Sequence, residues 1–310
     1  MMDKAMNDIS LRRRLSGVFT ALVTPMRDGR IDLAALERHI EAQLAAGVAG
    51  LVPIGTTGEA ATLSEAETDE VIRLTVEKAR GRAFVMAGAG SNATSIAVAK
   101  AERAAHLGVD GLLVVTPYYN KPSQAGLAAH FAAVAGAVDL PIMLYSVPGR
   151  TGVELAAATC ASLASEHANI VAIKEAGGRV ERVTELRLAC GPDFIIHSGD
   201  DGLTLPFLAA GADGVTSVAS NLVPAEMVAL VASWQAGDVA AARAMHERLY
   251  PVFRDLFVES NPVPVKTALA RRGAMAAEVR APLAPLMPAS LAVLEKSLAG
   301  FEAANLQKSR

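Results

Sequence analysis

The chain has 310 residues, 52% of them hydrophobic but only 4% aromatic, enough aliphatic side chain for a large core. A formal net charge of −3 excludes an electrostatic footprint for nucleic acid or an anionic membrane, so small-molecule partners are expected. The two cysteines, Cys160 and Cys190, make neither a disulfide framework nor a metal-ligand spacing, which fits a reducing cytoplasm.

From the N-terminus, residues 1–16 carry Arg12-Arg13-Arg14 and read as a solvated lead-in whose arginines are surface charge. The apolar run Val18 to Val23 is interrupted by Thr20 and closed by Pro25, too short and too polar for a signal segment, and no stretch reaches membrane-spanning length without charge. Short β-type runs then alternate with helical patterns. Strands are expected over Val18 to Thr24, Gly50 to Gly55, Phe84 to Gly90, Gly111 to Pro117, Ile142 to Val147, Ile170 to Ala176, Phe194 to Gly199 and Gly214 to Ala219. After the first, Asp32 can cap a helix with Leu33, Leu36, Ile40 and Leu44 on one face and Gly47 as its stop. After the second, Ser64 and Glu67 form a capping box, and after the fourth, Ser123 opens a helix with Leu127, Phe131 and Val134 on one side.

Near-continuous aliphatic strands separated by helices belong to a parallel sheet covered on both faces, and eight such units close most naturally into a (β/α)8 TIM barrel. A doubly wound open sheet shares the alternation and is the competing fold. Beyond the last strand, helical patterns run over Pro224 to Gln235, Asp238 to Val258, Pro262 to Arg272 and Pro288 to Ala299. The first completes the barrel. The expected organisation is therefore a lead-in at 1–16, a barrel at 17–236 and a C-terminal helical extension at 237–310.

In a barrel the C-terminal strand ends build the active site, and the unusual polar residues gather there. Gly55-Thr56-Thr57-Gly58-Glu59 offers backbone N–H groups and two hydroxyls ahead of a helix N-terminus, which suits a small carboxylate, or is an ordinary turn. It lacks the Gly-Lys-Ser/Thr ending of a phosphate loop, and Gly88-Ala89-Gly90 lacks the rest of a dinucleotide fingerprint. Tyr118, Tyr119 and Tyr145 can relay protons or simply pack. Arg150, just beyond Tyr145, can fork onto a carboxylate or make a surface salt bridge. Lys174 ends the apolar run from Ile170; burial there favours the uncharged amine, a carbonyl nucleophile, whereas snorkelling to water is the plainer alternative. His197 reads as a strand residue with a satisfied ring, and Asp200-Asp201 as a helix cap rather than a metal pair.

Four motifs in register change these odds. Gly55 to Glu59, Thr116-Pro117-Tyr118-Tyr119-Asn120-Lys121-Pro122, Tyr145 to Gly152 and Ile173-Lys174-Glu175-Ala176 resemble the dihydrodipicolinate synthase and N-acetylneuraminate lyase superfamily, as does Asn261-Pro262-Val263-Pro264-Val265-Lys266. The resemblance implies a lyase that needs no cofactor or metal and forms a Schiff base with pyruvate on Lys174. Tyr145 is then the general acid/base, with Thr56 and Tyr119 completing a proton relay and Tyr119 crossing into a neighbouring subunit. Thr57 holds the pyruvate carboxylate with the backbone of its loop, Gly199 belongs to the substrate site, and a backbone contact falls at Thr216. Arg150 is the residue that marks the dihydrodipicolinate synthase branch, binding the carboxylate of L-aspartate 4-semialdehyde in lysine (diaminopimelate) biosynthesis.

A homotetramer, a dimer of dimers, is implied as well. A sister aldolase or dehydratase acting on a sugar acid or another 2-oxo acid would keep Lys174 and change only the second substrate, and a non-catalytic 2-oxo-acid-binding paralogue is the remaining alternative. Ser146 stands where the family usually has asparagine and Thr216 where it commonly has a branched aliphatic residue. Ala60, Glu65, Thr68 and Ile96 replace the serine, two histidines and glutamate of lysine-inhibited members, although Asn92 and Tyr118 match. Weak or absent inhibition by lysine is expected.

Overall fold

A computed structural model describes residues 11–308, with the side chains of 304–308 left out of account. Eight parallel strands close into a barrel: β1 (Gly17–Ala21), β2 (Gly50–Val52), β3 (Phe84–Gly88), β4 (Gly111–Val115), β5 (Ile142–Ser146), β6 (Ile170–Glu175), β7 (Ile195–Ser198) and β8 (Gly214–Ser217). Closure is explicit, since β1 pairs with both β2 and β8. The open-sheet alternative is thereby excluded.

Each expected strand is present but ends earlier than the apolar pattern implies. Thr24, Gly55, Gly90 and Ala219 lie past the last ladder pair, because the apolar pattern runs on into buried loop starts that have no strand partner. Besides a single helical turn at Pro148–Thr151, which carries Arg150, the helices are α1 (Leu33–Ala45), α2 (Glu65–Ala79), α3 (Thr94–His106), α4 (Gln124–Ala137), α5 (Ala157–Glu166), α6 (Glu181–Cys190), α7 (Thr204–Ala209), α8 (Pro224–Gln235), α9 (Val239–Asp255), α10 (Val263–Arg271) and α11 (Pro288–Lys308). The expected caps form: Asp32 accepts from Ala35 N at 2.9 Å, Ser123 from Gly126 N at 3.3 Å, and Ser64 and Glu67 close their reciprocal box. No helix among the described residues is long and apolar enough to cross a membrane.

Strand alternation divides the core in two. Phe19, Val52, Phe84, Met86, Leu113, Met143, Ala172 and Ile195 fill the barrel, while Val18, Leu51, Val85, Leu112, Leu144, Ile173 and Ile196 face the helices. Polar residues are buried between the layers as well. On α1 the inward face includes His39 and Gln43, whereas Leu33 is 39% exposed, contrary to the all-aliphatic face expected. His39 Nε2 meets Asn221 Oδ1 at 2.9 Å and Gln43 accepts from the Thr20 hydroxyl at 2.8 Å, so these helix residues tie β1 to the chain beyond β8.

The lead-in reading needs correction. Residues 11–15 form a helical turn whose Leu15 is fully buried in the barrel-interior cluster. Arg12 donates to Asp213 Oδ1 at 2.7 Å and to the Pro192 carbonyl at 2.7 Å, and Arg14 donates to Asp110 at 2.7 Å with its guanidinium over the Phe84 ring. Arg12 and Arg14 thus anchor this turn across the N-terminal ends of the strands. Residues 1–10 lie outside the described part.

The C-terminal helices pack back onto the barrel rather than trailing from it. Arg280 grips Glu67 in a forked ion pair and holds its carboxyl down to about 2. The sign follows directly: the folded value lies below the ordinary one, so this pair stabilises above about pH 4.5 and its contribution is lost as the pH falls toward 2.

Candidate active site

Tyr145 and Lys174 are register partners on β5 and β6, so both side chains point into the barrel, and the next pair, Ser146 and Glu175, points out to the helices. Lys174 is 6% exposed, and its Nζ sits 4.3 Å from the centroid of the Tyr145 ring. The lysine does not snorkel. Glu175, immediately after it, is fully buried and pairs instead with Arg182 on α6 at 3.4 Å. Gly199 makes room: a Cβ there would lie 3.1 Å from Lys174 Cε and 2.6 Å from Ala176 Cβ.

These residues share a cavity of about 160 Å³ at the C-terminal strand ends, lined also by Thr56, Thr57, Val147, Arg150, Asp200, Val218 and Asn261. That is well below the ~300–1,000 Å³ of pockets for drug-sized ligands, and it suits a small acid. A larger cleft of about 860 Å³ opens at the opposite end, beside Arg13 and Cys190, but it lacks the convergent lysine, hydroxyls and guanidinium of the smaller one.

The loop from Gly55 to Glu59 leads into a 3-10 turn (Ala60–Thr62), and α2 begins only at Glu65, so this loop does not run straight into a helix N-terminus as the sequence had suggested. Its shape is held by other means. Ile54 has φ +58, a region that β-branched residues avoid, and Glu59 has φ +56. Gly88 allows the first of these, since a Cβ there would be 2.0 Å from the Ile54 carbonyl oxygen; Gly88 at the end of β3 and Gly90 just past it serve close packing.

Two residues of the C-terminal extension, Asn261 in the turn before α10 and Lys266 on α10, clamp the same loop. Asn261 donates from Nδ2 to Thr57 Oγ1 at 2.9 Å, and Lys266 on α10 donates to Glu59 at 2.6 Å with both side chains essentially unexposed. Burial pushes the Lys266 ammonium below its ordinary range, with Glu59 opposing that shift. The available signal was a lysine directly after the apolar run Val263-Pro264-Val265.

The other expected residues are distributed unevenly. Thr56 and Arg150 line the cavity from exposed positions. Thr216 is buried but does not line it; its hydroxyl bonds His197 Nδ1 at 3.1 Å, and Val218 reaches the cavity instead. His197 Nε2 lies 2.6 Å from the Leu15 carbonyl and therefore carries the proton, and burial pushes the ring down to about 4, which suits a structural clip. Asp200 caps the turn at Gly202, and Asp201 is spent on Ser217 and the backbone of Val218 and Ala219. Tyr119 stands away from the cavity of its own chain, 90% exposed with φ +73.

Residues 14–299 match the model of the Dihydrodipicolinate synthetase family. The chain belongs to this family. Similar curated relatives are the 4-hydroxy-tetrahydrodipicolinate synthases of Oleidesulfovibrio alaskensis, 47% identical over 93% of this chain and 97% of the relative, and of Citrifermentans bemidjiense, 50% identical over 90% and 96%. Among solved structures, the 4-hydroxy-tetrahydrodipicolinate synthase of Methylacidiphilum fumariolicum SolV superposes with a TM-score of 0.92 at 50% identity, covering 93% of this chain and 96% of that one. In this family member the barrel, the buried lysine and its tyrosine neighbour therefore occur together with near-complete coverage of the relatives' length.

Proposed function

We propose that the chain is a 4-hydroxy-tetrahydrodipicolinate synthase that condenses pyruvate with L-aspartate 4-semialdehyde through a Schiff base on Lys174. The observation that carries this reading is the buried Lys174 amine over the Tyr145 ring, in one small cavity with Thr56, Thr57 and Arg150. The amine attacks the pyruvate ketone, and loss of water leaves a protonated imine. That cation withdraws electrons, so the methyl group releases a proton and the resulting enamine carbon attacks the aldehyde, whose oxygen takes up a proton. Tyr145 is the group beside the amine able to move these protons. Thr57 and its loop hold the pyruvate carboxylate, and the space left by Gly199 accommodates the reacting carbons.

Arg150 is assigned to the carboxylate of the semialdehyde. Arg150→Ala is expected to raise the aldehyde KM by about 10- to 100-fold, the scale of a lost charge-assisted contact, while borohydride trapping of pyruvate is unchanged. An unchanged aldehyde KM would remove the assignment and favour a different second substrate.

Tyr119 completes the relay in the site of a second copy, within a homotetramer. Its near-complete exposure supports this placement, since the ring is left almost unpacked within its own chain. Light scattering should report an assembly, and Tyr119→Phe should lower kcat without altering the mass; a fully active monomer would contradict both. Glu65 is engaged by Arg103 at 2.9 Å and Ile96 offers apolar surface, which supports the expectation of weak lysine inhibition. An inhibition constant for lysine in the low or sub-millimolar range would refute it.

A further inference from the structure

We propose that Asn261 is a positioning residue that directs the Thr57 hydroxyl proton at the carboxylate of pyruvate, an inference that rests on the pyruvate reading of the Lys174 site. Thr57 is 3% exposed and lines the cavity, and Asn261, 5% exposed, lines it beside Thr57 from the turn entering α10. The amide N–H of Asn261 donates to Thr57 Oγ1 at 2.9 Å. A hydroxyl carries one proton and accepts on its lone pairs. With Asn261 as the donor, Thr57 keeps its proton for a third group, and the cavity beside Lys174 is where an anion stands when substrate is bound.

Asn261 Oδ1 is buried and has no hydrogen-bond partner among the described residues, an unfavourable state for a carbonyl oxygen. Holding the N–H on Thr57 offsets that cost through the bond it makes and the direction it imposes. Turned around, the amide would accept the Thr57 proton, and the hydroxyl would then face an anion with lone pairs only. Lys266 and Glu59 fix the rest of the clamp: α10 carries Lys266 onto Glu59 at 2.6 Å, so the segment that follows Asn261 is tied to the same loop two residues beyond Thr57. Thr57 is thereby oriented from a segment more than two hundred residues away in sequence.

The test measures the pyruvate concentration giving half-maximal borohydride trapping on Lys174, followed by mass gain, in the full chain and in Asn261→Ala, Thr57→Val and the double variant. Asn261→Ala and Thr57→Val should each raise it about tenfold, the double variant should be no worse than Thr57→Val alone, and the aldehyde KM should stay within about twofold. Asn261→Asp is a second probe that keeps the side-chain shape but has no N–H to donate; it should weaken trapping at least as much as Asn261→Ala. An unchanged half-saturation in either Asn261 variant, or a full additional factor on top of Thr57→Val, would overturn the inference while leaving the Lys174 reading standing. Absence of trapping in the unaltered chain would overturn both.

Discussion

Lys174→Ala is expected to abolish condensation, lowering kcat/KM on the order of 10⁴-fold or more, and to remove the pyruvate-dependent mass gain after borohydride reduction. The size follows from the chemistry: without the amine there is no imine, hence no electron sink for the methyl proton and no enamine. Tyr145 and the loop from Gly55 to Glu59 remain, but the bond on which they would act no longer forms. The fold should tolerate the change, because Lys174 makes one ring contact in an open cavity and its structural neighbour, the Glu175 pair with Arg182, points the other way. A melting temperature close to that of the unaltered chain would show this. Lys266 cannot substitute as the nucleophile, since it is fully buried on Glu59. Activity within about 100-fold of the unaltered chain, or trapping that persists in Lys174→Ala, would remove Lys174 from its role.

Lys266→Met carries the largest expected effect on stability, about 3–5 kcal/mol, because it leaves the Glu59 carboxylate buried without its cation. Glu59 also accepts from the Arg280 backbone N–H at 2.9 Å, which is too little to hold a charge in an apolar site. The double variant Lys266→Met with Glu59→Leu should recover most of the loss, since replacing both partners of a buried pair by apolar groups is often close to neutral. Pyruvate binding should not recover with it, because the loop would have lost a tether beside Thr57. Urea midpoints of the single and double variants decide this; a single-variant loss below about 1 kcal/mol would mean that the pair is open to water.

Much of the fold was legible because its determinants are local. Aliphatic runs followed by amphipathic stretches mark each βα unit, and Asp32, Ser64 and Ser123 announce helix starts through bonds only three residues long. Lys174 was legible as an oddity, a charge in an apolar strand, and motif resemblance turned the oddity into a role. Less legible were residues whose meaning depends on a distant partner. His39 and Gln43 interrupt an apolar face until Asn221 and Thr20 are beside them. Arg12 reads as solvated charge until Asp213 is found 201 residues away.

The sequence by itself therefore determined eight strands, their helices, the amine and the family, since periodicity and motif spacing need no knowledge of what lies across the barrel. Tertiary structure alone decided which side chains point inward together, through the register that pairs Tyr145 with Lys174. It also decided that Asn261 and Lys266 hold the loop from Gly55 to Glu59, as the fold brings residues 204 and 207 positions apart into hydrogen-bonding distance. A hydrogen bond is specific over about 3 Å and leaves no periodic trace in the chain that makes it, so only the folded geometry could reveal these contacts.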